Sequence, residues 1–349
     1  MKMNVLVRLL AAMSVLYSIH SVALSEMDPY RGLVLAEQSD ENTLRQEALK
    51  QVLIKVSGNV DIVELEESEN LLTNIRSMLS QFGYQNIDGE RFYYALFDKS
   101  KINQALNDMQ QPIWGETRPS PLIWLVNENR KITSEYMFNS QQDNDLTWAV
   151  RKAEFKRGIK TRFPILDLDE TLIVRASDIT GRFLQVVAEA SKRYDAEYVV
   201  LANLYKLRDG KWQLRWEFVQ YNAENNSKIL INKRVVGEKK VDVMEQMLND
   251  IADYYAQKFA IFENNGEKLT QVLSINNVST LSELTLLNKV LTGLNAVERF
   301  KVIEINQQQV KVLVTLKGGL MSLENALNAQ PHLQNDASNG VYFQYNWQQ

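Results

Sequence analysis

Cysteine is absent from all 349 residues, and histidine occurs only twice, at His20 and His332. The first absence excludes disulfides, thiol nucleophiles, redox pairs, haem attachment and cysteine-based zinc sites. The second removes the usual general base of a Ser-His-Asp arrangement. His20 lies in a segment expected to be cleaved away, and His332 stands in a polar C-terminal loop. Catalysis by Cys or His is therefore set aside, and no cofactor is expected. Dense basic tracts are also lacking. Lys152, Lys156, Arg157, Lys160 and Arg162 form the one notable basic stretch, which a solvated helix end accounts for. A nucleic-acid partner is not expected. No G-x-x-x-x-G-K-[ST] or G-x-G-x-x-G occurs, so Gly318-Gly319 before a helix reads as a turn. A D-x-D-x-D-G calcium loop is missing as well.

What is present begins with an export pattern. Lys2 and Arg8 are the only charges before Glu26, and an uncharged run from Leu9 to Leu24 follows. A basic start, a short apolar stretch and small residues at its end make a signal peptide. Ser21-Val22-Ala23 and Ala23-Leu24-Ser25 both fit the small-x-small rule; the second is preferred because the chain turns polar at Glu26. The run falls short of the ~20 residues a spanning helix needs, and no Cys follows it to carry a lipid. The expected location is the periplasm, with no membrane anchor after cleavage. Apolar residues at 45% and charged residues at 23% are ordinary globular values. The 39 basic and 43 acidic residues leave a small acidic excess, which loss of Lys2 and Arg8 widens by two.

The expected fold class is α+β, in three small α/β-sandwich-like domains: signal peptide 1–25, then 26–115, 116–264 and 265–349. In the first, Tyr30 to Gln38 reads as a strand. Ser39 opens a helix that Gly58 stops, with Leu44, Ala48, Val52, Leu53 and Val56 at helical spacing. Glu66 to Phe82 reads as a second helix closed by Gly83, and Arg91 to Asp98 as a strand. Asp98 or Ser100 then caps a helix carrying Ile102, Ala105, Leu106 and Met109.

In the middle domain the expected order is strand (Leu122 to Val126), helix (Asp145 to Lys156), strand (Arg162 to Leu168) and a helix from Asp178. A three-strand meander turning at Asp209-Gly210 follows, and a long helix closes the domain. Trp212, Leu214, Trp216 and Phe218 alternate onto one face and read as core rather than as a carbohydrate platform. The last domain reads β-α-β-β-α-β, a ferredoxin-like arrangement. Ser279 and Ser282 are its cap candidates, and Val341, Phe343, Tyr345 and Trp347 share a face of its closing strand. At a sheet edge that stripe could dock a partner strand.

The densest carboxylate group is Asp167-Leu168-Asp169-Glu170. On an extended chain Asp167 and Asp169 share a face, where they could hold Mg²⁺ or Ca²⁺ or act as acid and base. A turn that caps a helix is the preferred reading of them. Arg118, in Arg118-Pro119-Ser120-Pro121 before Trp124, could clamp a carboxylate; an interdomain linker that buries a Trp is the other reading. No catalytic residue and no metal ligand is assigned. Arg118, Asp167 and Asp169 stand as candidate ligand or partner contacts.

Three spaced motifs carry a resemblance. Arg45-Gln46-Glu47-Ala48-Leu49 through Leu53-Ile54-Lys55-Val56-Ser57-Gly58 is the first, and Arg118-Pro119-Ser120-Pro121-Leu122 the second. The third is Phe163-Pro164-Ile165-Leu166-Asp167-Leu168. Together they resemble a family of secreted proteobacterial proteins known only as a domain of unknown function, which implies location and architecture but no activity. Where that family carries Pro-Leu-Leu-Asp-Leu-Glu-Asp, this chain has Pro164-Ile165-Leu166-Asp167-Leu168-Asp169-Glu170, keeping the acidic character. Ser191 to Ala202, with the meander and long helix after it, is similar to the α/β domain of periplasmic assembly proteins. Those are the N-terminal domain of the Tol translocation protein, the curli secretion channel subunit and lipoprotein activators of cell-wall synthases. The first domain also looks like the N-terminal part of a flagellar assembly protein. These likenesses imply a non-enzymatic module that binds envelope proteins. The alternative is a small-ligand or divalent-metal-dependent enzyme using the acidic cluster near Asp167.

Overall fold

The computed structural model describes residues 28–348, apart from 37–39, 88, 116–117, 130–133, 139–143, 222–225, 263–268, 307–308, 331 and 337–342. The signal peptide expected at 1–25 and Ser39 lie outside the described residues. The chain is α+β, with three sheets of three, five and five strands.

The first sheet has the order β1 (Arg31–Leu35), β3 (Glu90–Phe97), β2 (Leu79–Ile87), all antiparallel. Helix α1 (Glu41–Ser57) covers one face. Asp40 caps it by accepting from the Asn42 and Thr43 amides at 2.9 and 3.1 Å, and Gly58 ends it at φ 74°. The helix expected over 66–82 is shorter. After α2 (Glu66–Thr73) and a 3₁₀ turn, the chain becomes β2. Phe82 and Tyr84 there pack beside Tyr93 of β3, and Gly83 closes no helix but sits against the Tyr94 ring. Cross-strand aromatic packing overrides the helical reading of Leu79 to Phe82. Helix α3 (Lys99–Asp108) is capped by Asp98.

The middle sheet has the order β5 (Ser134–Met137), β4 (Leu122–Asn129), β6 (Tyr198–Lys206), β7 (Trp212–Tyr221), β8 (Ser227–Gly237), with only β4–β6 parallel. Helices α4 (Asn144–Arg157) and α8 (Lys240–Phe259) cover one face. The short helices α5 (Leu168–Ile173), α6 (Ala176–Thr180) and α7 (Leu184–Ser191) cover the other. Two expectations need correction. Arg162 to Leu168 is not a strand: it makes a single parallel bridge, Leu122 to Arg162, then leaves the sheet. On its outer side β4 pairs antiparallel with β5 instead. Asp178 does not open a long helix; it is the third residue of α6 and accepts from the Arg175 amide at 2.8 Å. Trp124 and Trp216 are fully buried, and Trp212 packs partly against the same core as Trp216.

The last sheet runs β10 (Val297–Asn306), β11 (Gln309–Leu316), β9 (Thr270–Asn276), β13 (Gln344–Trp347), β12 (Leu333–Asn335). Helices α9 (Leu281–Gly293) and α10 (Leu320–Asn328) supply its core face. Thr280, not either serine, caps α9 in a reciprocal box with Glu283. The four-strand expectation is one strand short. After α10 the chain forms a hairpin, and its second arm, β13, inserts parallel to β9 while β12 takes the edge. Tyr345 and Trp347 point into the core. Phe343 sits at φ 63° before the strand, and Val341 is outside the described residues. His332 stacks on Trp347, ring centroids 5.3 Å apart.

Candidate functional site

Arg118 serves as a clasp. Its guanidinium donates to five backbone carbonyls: Gly115 at 3.0 Å, Trp114 at 2.9, Lys55 at 2.6, Arg157 at 3.1 and Gly158 at 3.2. It also lies 3.9 Å over the ring of buried Trp114. Those carbonyls belong to the end of α1, the segment before β4 and the end of α4. Burial, then neighbouring Arg157, pushes its pKa down to about 9, so it stays charged at neutral pH. A guanidinium already saturated by carbonyls has little left for a ligand carboxylate. Beside it are two further buried cations. Lys55 donates to the Arg31 carbonyl at 2.8 Å, and Arg157 pairs with Asp253 at 2.6 Å and reaches the Gly58 carbonyl at 3.2 Å.

Asp167 and Asp169 lie elsewhere, at α5, on the opposite face of the middle sheet from α4. Asp167 is its N-cap, accepting from the Glu170 amide at 3.0 Å, and pairs with Arg193 at 2.8 Å. Those contacts, the amide first, hold its carboxyl below the usual range. Asp169 is exposed in the first turn. Among the described residues, no group of three or more His, Cys, Asp or Glu side chains is placed to hold a metal ion.

The organising carboxylate is Glu170, which sequence reasoning named but did not single out. It is only 1% exposed. It accepts from the Leu166 amide at 2.7 Å, from the Tyr194 hydroxyl and from Arg193 at 3.2 Å. Tyr194 in turn accepts from the Ile165 amide at 2.8 Å. Burial, then the bond to Glu170, pushes the Tyr194 phenol up to about 12. Leu166 between these anchors sits at φ 58°, a costly conformation for a side chain with a Cβ. The strained turn is thus fixed from both sides.

What it presents to solvent is apolar. Leu168 and Leu172, four residues apart on one helical face, are each 73% exposed, and Ile165, Ile173 and Phe183 are exposed with them. Contacts between α5 and α7 set the two helices that carry or flank these residues side by side on the middle unit. Asp169 and Arg175 stand exposed among them, and the ion pairs Arg193–Asp167 and Lys192–Glu189 flank them. An apolar centre with a charged surround is the composition of a protein-contact surface.

A cleft of about 830 Å³ lies between the first and last units. Tyr30, Asn103, Lys99 and Asp98 of the first unit line it together with Ile113, Ile261, and Asn295 and Lys317 of the last. The Tyr30 hydroxyl donates to Asn103 at 2.9 Å, and Asn295 donates to the Ile113 carbonyl at 2.6 Å. No sequence motif marks this cleft, because residues some 270 positions apart build it. Its size suits a small molecule, yet its carboxylates are engaged: Asp98 caps α3 and Asp28 accepts from the Tyr30 amide at 2.8 Å.

Among the described residues, no helix is long and apolar enough to cross a membrane. No curated protein matches the chain. Residues 29–115, the unit built on the first sheet, match a family described as a domain of unknown function (DUF8605).

Proposed function

We propose that this chain is a non-enzymatic periplasmic protein that binds other envelope proteins during cell-envelope assembly or maintenance. The observation that carries the reading is the pinned apolar corner on α5. A buried carboxylate, a tyrosine and a strained turn hold Ile165, Leu168 and Leu172 in solvent, where the hydrophobic effect alone would not leave them. Strain retained at a surface of exposed apolar side chains favours recognition over core stability. The partner is a protein with an apolar insert and charges complementary to the mixed surround. The leader-like residues before Glu26 support the compartment. So do the likenesses to envelope-assembly domains.

A photo-crosslinking residue at Leu172 tests it in intact cells. A defined envelope protein is expected to be captured there and not from a control position at Asp209. Leu168→Asp with Leu172→Asp should abolish the capture without lowering the melting temperature. Capture equal to the control, or fractionation of the chain into the cytoplasm, overturns the proposal.

A further inference from the structure

The last sheet ends on β10, whose outer edge has no neighbouring strand among the described residues. Ten residues long, it contains no Pro to block pairing, and Val302, Ile303 and Ile305 are exposed along it. Edge strands of this length and apolarity are ordinarily covered or broken. Beside the edge, α9 and β10 bound a groove of about 270 Å³ lined by Leu284, Leu287, Leu291, Phe300, Val302 and Val312. Phe300 and Val302 therefore face the helices. Arg299 and Lys301, alternating with them, project from the open face of the sheet. From Arg299 to Asn306 no strand lies beside this edge among the described residues; an apolar slot flanks it on one side, and on the other stand Arg299, Lys301 and Glu304, the last paired with Lys311 at 2.8 Å.

We infer that the outer edge of β10 accepts an extended peptide segment of another protein as an added strand, with apolar residues on the groove side and carboxylates alternating with them. Backbone groups of an edge strand are completed by another strand, which fixes the occupant's conformation. The groove fixes one face of its sequence, and Arg299 with Lys301 fix the other by charge. A second copy of this chain fits less well. A two-fold antiparallel pair sets each residue opposite one equally far from the axis, so facing residues differ by an even number. Arg299 and Lys301 are separated from Glu298 by odd numbers and so do not face it in a regular register, while Glu304, beyond the irregularity, already pairs with Lys311 at 2.8 Å. Registers centred on Phe300 or Lys301 oppose cations instead. The irregularities at 297–299 and 302–304 further spoil a long self-pairing. This surface is separate from the α5 corner, and either can fail without the other.

The test is hydrogen exchange of the β10 amides in the full chain, expressed with its own leader and purified from the periplasm. The probe is acetyl-Thr-Val-Asp-Leu-Asp-Val-Thr-amide, with a scrambled peptide as control. At micromolar protein, outward-facing amides between Val302 and Asn306 are expected to exchange fast. Saturating peptide should slow them about tenfold or more, and the scramble should not. Lys301→Glu, at an exposed position, should weaken the peptide about fivefold or more, as loss of one cross-strand ion pair plus a repulsion requires. Three results overturn the inference. One is protection without peptide, meaning that this chain covers its own edge. Another is protection that rises with protein concentration alone, meaning self-pairing. The third is peptide that leaves β10 exchange unchanged.

Discussion

Lys55 and Gly32 show how single positions answer to their surroundings. Lys55 is fully enclosed at the end of α1, and burial, with Arg118 and Arg31 nearby, lowers its pKa from 10.5 to about 7, while Asp28 opposes the shift. Between about pH 7 and 10.5 the unfolded chain therefore holds more protons at this site than the folded one. Stability contributed by this residue rises with pH across that window, at most about 1.4 kcal/mol per pH unit, and is flat below it. Urea unfolding at pH 7, 8 and 9 should show the rise, and Lys55→Met should remove it. Measurements belong below pH 10, because half-buried Tyr194 and buried Tyr221 have raised pKa values and reverse the trend once unfolded tyrosine ionises. Gly32 tests contact rather than charge. A Cβ there would lie 2.4 Å from the Ala48 carbonyl oxygen, backbone that cannot step aside without moving α1 off β1. Gly32→Ala should cost about 2 kcal/mol, read as a lower urea midpoint with unchanged slope.

For whole elements, legibility followed how local each cause is. Helix α1 is readable because its stop at Gly58 and its apolar stripe lie within one stretch, although its cap is Asp40 rather than the Ser39 expected to open it. Strands β10 and β11 are readable for the same reason. Strand β2 is not, since only Tyr93 and Tyr94 across the sheet decide its state. The stretch from Arg162 to Leu168 has a strand's composition but leaves the sheet, because Glu170 and Tyr194 take its amides. The acidic cluster was visible as a cluster. Which carboxylate matters was not, since burial separates Glu170 from Asp169 and one sequence cannot display burial. Glu170→Gln should therefore release the turn at Leu166, by removing the negative charge that Arg193 faces and weakening the bonds it accepts. The expected result is a loss of about 2 kcal/mol and faster proteolysis between 165 and 173. Asp169→Asn, exposed in the same turn, should change neither; equal effects from the two would refute the pinned-turn account.

Across the whole molecule, Ile113, Trp114 and Arg118 stand where three units meet. Trp114 is buried and its amide donates to the Val56 carbonyl of α1 at 2.6 Å. Ile113 exchanges backbone bonds with Ile261 beyond α8, at 2.7 and 3.1 Å. Asn295 of the last unit donates to the same Ile113 carbonyl. The Pro-punctuated stretch that reads in sequence as a linker is thus partly core. The first sheet is also not a sandwich closed on itself. Its second face, Leu33, Ile87 and Phe92, packs on Phe155 and Trp148 of α4, a helix of the middle unit. Arg157, at the end of that helix, ties α4 to Asp253 of α8 and to the Gly58 carbonyl of α1 while itself 1% exposed. Removing its charge leaves Asp253 half in solvent, where water compensates it, but strands the Gly58 carbonyl and opens a void among packed helices. Arg157→Ala should cost about 3 kcal/mol. The loss should fall on the junction, turning one unfolding transition into two, with residues 28–115 exchanging amide hydrogens ahead of the middle sheet. A single transition merely shifted to lower urea would mean that the apolar contact of Phe92 with Phe155 and Trp148 couples the units, and that the arginine is dispensable to their cooperation.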